Sequence, residues 1–237
     1  LSFTRELADR RPATADRYLF VADPLPLPAA PGDPESLPPL PGTLDEVRHI
    51  VSRVPASPIT TLTGRMASES AVTDAMAAAT IIHLATHGIV RDDDPFGSSL
   101  ALGADGIGPA PDGAPTAEEI YGLRLQARLV VLSACRSGLG EVSADGIVGL
   151  TRAFFFAGTP SVVATLWDVA DGPSARLLRD FYAARARGQD LARALRTAQL
   201  AMLTSLRAGR VTGTGAPGTR LPERPVFWAA FVLVGEP

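Results

Sequence analysis

The chain alternates between short, almost uninterrupted apolar runs and longer stretches with helical spacing. Arg17–Asp23 (RYLFVAD), Ile59–Leu62, Thr80–Thr86 (TIIHLAT), Leu129–Ser133 (LVVLS), Ser161–Leu166 (SVVATL) and Val226–Val234 (VFWAAFVLV) read as strands. The apolar runs RYLFVAD, LVVLS and SVVATL predict buried strands, LVVLS on both faces, and the β-branched run of Thr80–Thr86 marks a further strand. Between them lie amphipathic segments. One opens at Thr43 as N-cap, with Leu44, Val47, Ile50 and Val51 on one face. A second opens at Ser68, with Ala71, Val72, Ala75 and Met76 inward. Further helices are expected over 147–157, 173–186 and 190–206. Thr116 and Glu119 have the spacing of a capping box.

Strand and helix in alternation predict an α/β fold, a mostly parallel central sheet flanked by helices. Residues 24–41, 91–115 and 209–224 are rich in Pro, Gly or Asp and read as loops, with a hairpin near Ser99–Leu102. The proline-rich 24–41 is expected to be an extended, mobile connector rather than a packed element. Residues 1–16 show little periodicity and read as an edge or linker from a preceding region, which leaves 17–237 as one domain.

Composition narrows the function classes. A net charge of −3 with interspersed signs gives no basic surplus for a nucleic-acid backbone. No apolar run reaches the roughly 18 residues of a membrane span, so no membrane role is expected. The chain has one cysteine, no lysine and no asparagine; all 22 basic residues are arginine. That composition rules out a P-loop lysine, a pyridoxal Schiff base, a Cys-His-Asn triad and a multi-cysteine zinc site. No cofactor and no metal are expected. A lone thiol fits a reducing, cytoplasmic compartment.

The polar residues that remain fall at strand ends. TIIHLAT runs into His87-Gly88, and LVVLSA runs into Cys135. In a parallel sheet both lie at the carboxyl edge, where doubly wound folds gather ligands and catalytic groups. If the two strands are neighbours, a spacing of about 4.8 Å brings the side chains within reach of each other. A histidine can serve as base and acid to a thiol near neutrality. The amides of Gly88 and Cys135 are candidate oxyanion donors. The alternatives are a buried structural thiol and a histidine satisfied by the core. His83, four residues before His87, would share its face in a continuous strand, as support for it or as a core polar group.

Several blocks, in order, resemble one family: IIHLATHG, TAEEIYGLRLQARLVVLSACRSGLG, ADGIVGLTRAFFFAGTPSVVATLWDV, LARALRTAQLAM and FWAAFVLVG. Together they resemble a CHAT domain, of the caspase-like group of cysteine peptidases that includes separase. The resemblance implies a caspase-like three-layer sandwich. It implies catalytic His87 and Cys135, a dyad needing no third residue, and Gly88 in the oxyanion hole. Two positions depart from related patterns. Arg136 stands where an acidic residue commonly follows the cysteine. Ser133 stands where metacaspases carry an aspartate for a basic P1 side chain. Asp168 and Asp171 resemble a separase segment; Asp168 is the candidate substrate-binding acid, and Asp171 fits a helix cap. The implied partners are a protein or peptide substrate and an N-terminal regulatory module such as TPR repeats, common beside CHAT domains in bacterial proteins. The expected function is a cysteine endopeptidase. A catalytically silent signalling module is the alternative.

Overall fold

The structure is a computed structural model. It describes residues 15–28, 37–91, 94–105, 112–133, 135–136, 144–167, 171–213 and 219–237; for 135–136, 144–148 and 171 only the backbone is described.

Nine strands and six helices are described. The strands are β1 (Tyr18–Pro24), β2 (Ile59–Gly64), β3 (Ile81–Ala85), β4 (His87–Ile89), β5 (Ser99–Leu100), β6 (Leu129–Leu132), β7 (Cys135–Arg136), β8 (Ser161–Thr165) and β9 (Phe231–Gly235). The helices are α1 (Pro41–Val51), α2 (Glu69–Ala78), α3 (Ala117–Tyr121), α4 (Ala144–Phe156), α5 (Asp171–Ala186) and α6 (Leu191–Arg207). The main sheet has the order β2-β1-β3-β6-β8-β9. Its first five strands are parallel, and β9 closes it antiparallel to β8.

Strand alternation sorts the core into two layers. Tyr18, Phe20, Ala22, Ile81, Leu129, Val131 and Val163 face one way, onto Val47 and Ile50 of α1, Phe181 and Tyr182 of α5, and Ala198 and Met202 of α6. Leu19, Val21, Ile82, Leu84, Val130, Leu132 and Val162 face the other way, onto Val72 and Met76 of α2, Ile120 of α3, and Ala153 and Phe154 of α4. This is the expected sandwich. The inner strands β1, β3, β6 and β8 are buried on both faces, which is why their sequences show no polar alternation; the edge strands β2 and β9 are partly exposed.

Several boundaries differ from expectation. Helix α1 starts at Pro41, not after a Thr43 cap. Proline, with fixed φ and no N–H to satisfy, serves as the first helical residue. The Thr43 hydroxyl instead donates to the Leu40 carbonyl oxygen at 2.7 Å. Strand β9 begins only at Phe231; Pro225–Phe227 is a 3-10 turn, because Pro225 fits a helical first position better than a strand. The ends of the proline-rich connector are packed rather than mobile: Leu27 and Leu37 are buried with Ile89 and Ala101. The Thr116–Glu119 capping box and the Ser68 cap formed as expected.

Candidate active site

Strand β3 does not continue into His87. The ladder of the main sheet ends at Ala85, and the chain steps into a second, three-stranded sheet of order β5-β4-β7. The Thr86 hydroxyl, donating to the Ala101 carbonyl oxygen, marks the step. The Ala101 amide in turn donates to the His87 carbonyl at 2.9 Å. Strand β6 makes the same step: Ser133 donates its amide to Leu84 O at 2.9 Å, and Cys135–Arg136 then form β7.

The two steps are in register. Strands β3 and β6 are parallel neighbours, with Leu84 opposite Leu132. Beyond them β4 and β7 are again parallel neighbours, and His87 stands opposite Cys135. Gly88 pairs with Arg136 on one side and Leu100 on the other. His87 and Cys135 therefore occupy adjacent strands at one level, about 4.8 Å apart in backbone terms. They lie at the carboxyl edge of the parallel sheet, beside the point where strand order reverses: β1 leads outward to β2, while β3 leads the other way to β6 and β8.

The His87 ring is buried, and its Nε2 lies 2.8 Å from the Pro38 carbonyl oxygen. A carbonyl oxygen can only accept, so Nε2 carries the proton. In the neutral ring Nδ1 is then the basic nitrogen, with no hydrogen-bond partner among the described residues. The sequence pattern hid this contact. It comes from the connector, where proline content pointed to an unstructured link, and a backbone carbonyl leaves no side-chain signature.

The break at Thr86 also separates the two histidines. His83 is fully buried on the α1/α5/α6 side of the main sheet, not on a strand face shared with His87. Its Nε2 lies 2.9 Å from Glu46 Oε1 and its Nδ1 3.3 Å from the Tyr182 hydroxyl. Phe20 and Tyr182 pack against the ring. Burial holds the Tyr182 phenol neutral, far above its ordinary pKa. His83 is thus a core polar group satisfied by helices α1 and α5.

Ser133 is nearly buried at the end of β6. Asp168 lies outside the described residues. No cluster of three or more His, Cys, Asp or Glu suited to a metal is found among the described residues. No helix among them is long and apolar enough to cross a membrane.

The fold and the paired strand ends define a caspase-like α/β architecture. The chain belongs to the CHAT domain family, whose model matches residues 1–236. Tetratricopeptide repeat protein 28 of Mus musculus is 28% identical over 227 residues, and that of Homo sapiens 27%. Each match covers 83% of this chain, but only 9% and 8% of the relatives, so the chain corresponds to less than a tenth of their length. Among solved structures, the Arg-specific cysteine proteinase gingipain R shares the fold with a TM-score of 0.53 at 11% identity, covering 94% of this chain and 46% of that one. The Saccharomyces cerevisiae separase–securin complex gives 0.53 at 13% identity, covering 99% and 13%.

Proposed function

We propose that this domain is a cysteine endopeptidase in which Cys135 is the nucleophile and His87 the base. The observation that carries the reading is the register of the second sheet, which sets His87 opposite Cys135 at the carboxyl edge. The His87 Nε2–H···O=C Pro38 bond supports it, because it leaves Nδ1 as the proton-accepting nitrogen.

In this mechanism the Cys135 thiol gives its proton to His87 Nδ1 and the thiolate attacks the scissile carbonyl. An S–C bond forms, and the carbonyl electron pair moves to oxygen. The amides of Gly88 and Cys135 hold that oxyanion. Collapse breaks the C–N bond as Nδ1–H protonates the leaving amine. Water, deprotonated by Nδ1, then hydrolyses the thioester, and Cys135 recovers its proton. No metal or cofactor is required. The substrate is a protein or peptide. Asp168 and Ser133 are the candidates for the pocket that receives the side chain before the cleaved bond.

The named relatives are tetratricopeptide repeat proteins. We assign this domain a comparable regulatory partner, an attached repeat module that holds the peptidase off until a signal arrives, in a reducing cytoplasmic setting.

Cleavage of a peptide library by the purified chain tests the reading. The wild type should cut at a defined P1 residue, and Cys135→Ala, folded to the same extent, should not cut. A preference for Arg or Lys at P1 would place Asp168 in the pocket, and an apolar preference would remove it. Equal cleavage by wild type and Cys135→Ala would end the mechanism. No cleavage by either would favour a silent signalling module.

A further inference from the structure

We propose that Asp23 is a positioning residue for His87, acting through the Pro38 carbonyl; this rests on His87 being the base of the peptidase reading above.

The observations form one continuous chain of bonds. Asp23 lies near the end of β1, at the point where strand order reverses. It is the one non-glycine residue with positive φ among those described, at +45°. Aspartate tolerates this left-handed region better than most residues, yet the conformation is still costly and persists only where its surroundings hold it. Here they do. The buried Asp23 carboxylate accepts from the Leu40 amide at 2.7 Å, and the Asp23 amide donates to the Thr43 hydroxyl at 2.9 Å. The Thr43 hydroxyl and amide both donate to the Leu40 carbonyl, at 2.7 and 2.9 Å. Leu40 is therefore fixed through both its amide and its carbonyl. Pro38 lies two residues upstream, with Pro39 between them. Leu37, on its other side, is buried against Leu27, Ile89 and Ala101.

The Pro38 carbonyl is thus held from both sides, by Asp23 and Thr43 on one and by an apolar anchor on the other. Such fixation leaves the connector one path at Pro38. It matters where one carbonyl must select one tautomer of one histidine. A buried bond from a backbone amide to a fixed side-chain oxygen is a means of doing so. The left-handed backbone at Asp23 turns its carboxylate back over the connector.

The tautomer of His87 can be read without any peptidase activity. The chain has three histidines. Nitrogen-15 NMR of histidine-labelled protein above the imidazole titration range separates the Nε2–H from the Nδ1–H form, and His87→Gln assigns the signal. We expect His87 in the wild type to be almost wholly Nε2–H. In Asp23→Ala the ratio of the two forms should fall about tenfold. Asp23→Asn keeps an oxygen for the Leu40 amide and should restore the wild-type ratio. His83, held by Glu46 and Tyr182, should not change in any of them. Alkylation of Cys135 by iodoacetamide should slow about tenfold in Asp23→Ala, and not in Asp23→Asn.

Should Asp23→Ala fail to fold, Thr43→Val decides, since it removes the hydroxyl that ties Asp23 to Leu40; a shift in the His87 ratio supports the assignment. An unchanged ratio in the folded variant overturns it. A shifted ratio in a protein whose Cys135 reacts as an ordinary thiol would sink the peptidase reading while leaving the role of Asp23 intact.

Discussion

Residue 69 shows how one half-buried carboxylate connects a loop to solution conditions. Glu69, the first residue of α2, accepts from the Gly113 amide at 2.8 Å, and its neighbour Ser70 donates to Asp105. Burial pushes the Glu69 carboxyl above its ordinary value; the Gly113 bond opposes this, and the nearby charges of Glu119, Asp112 and Asp105 add to it. The folded state then holds a proton that the unfolded chain releases more readily. This contribution is favourable at low pH and is lost as pH rises from the usual glutamate range through the raised folded value. Glu69→Gln, which keeps an acceptor for Gly113, should therefore be more stable than wild type at pH 7 and indistinguishable from it at pH 3. Urea denaturation at the two pH values reads this; an equal difference at both would contradict it. The sequence shows Glu69 as a helix N-terminal acid. It does not show the loop that buries it, because Gly113 is 44 residues away.

The elements were legible wherever a buried face repeated over several turns or a run of β-branched residues. The inner strands β1, β3, β6 and β8 were readable because they are covered on both faces and so carry the full apolar pattern; the edge strand β2 was readable from its β-branched residues although it is largely exposed. What misled was short-range chemistry that competes with pattern. Thr43 looks like a cap, yet Pro41 had already started α1. The apolar run from Val226 looks like strand, yet Pro225 turns it first. The run from Thr80 to Gly88 looks like one strand, yet Thr86 divides it between two sheets. Two-residue strands such as β5 and β7 have no periodicity to detect. Glu46 and Tyr182 were silent as well, since a pair that satisfies a buried histidine is visible only once helices α1 and α5 are in place. A further consequence arises where α4 crosses the 3-10 turn at Pro95–Gly97. A Cβ at Gly149 would overlap the Pro95 carbonyl oxygen, which is backbone and cannot swing aside. Gly149→Ala should therefore cost about 1–3 kcal/mol despite its better helix propensity. Thermal unfolding of this variant checks it; a stabilised protein would show that α4 does not approach the turn so closely.

At the scale of the whole molecule, two sheets of different size share one carboxyl edge. The six-stranded sheet is a core covered on both faces, and it brings β3 and β6 side by side. The three-stranded sheet continues that pairing past Thr86 and Ser133, and so places His87 opposite Cys135. The sequence located both residues at strand ends. Their partnership depended on strand order, which periodicity does not encode; the family resemblance supplied it in advance. The most direct test of the central claim is the rate at which a peptidyl acyloxymethyl ketone labels Cys135, followed by intact mass. The account predicts covalent labelling of the wild type at least about a hundredfold faster than of His87→Ala, and none in Cys135→Ala. Equal rates in wild type and His87→Ala, at the level of an ordinary thiol, would contradict it.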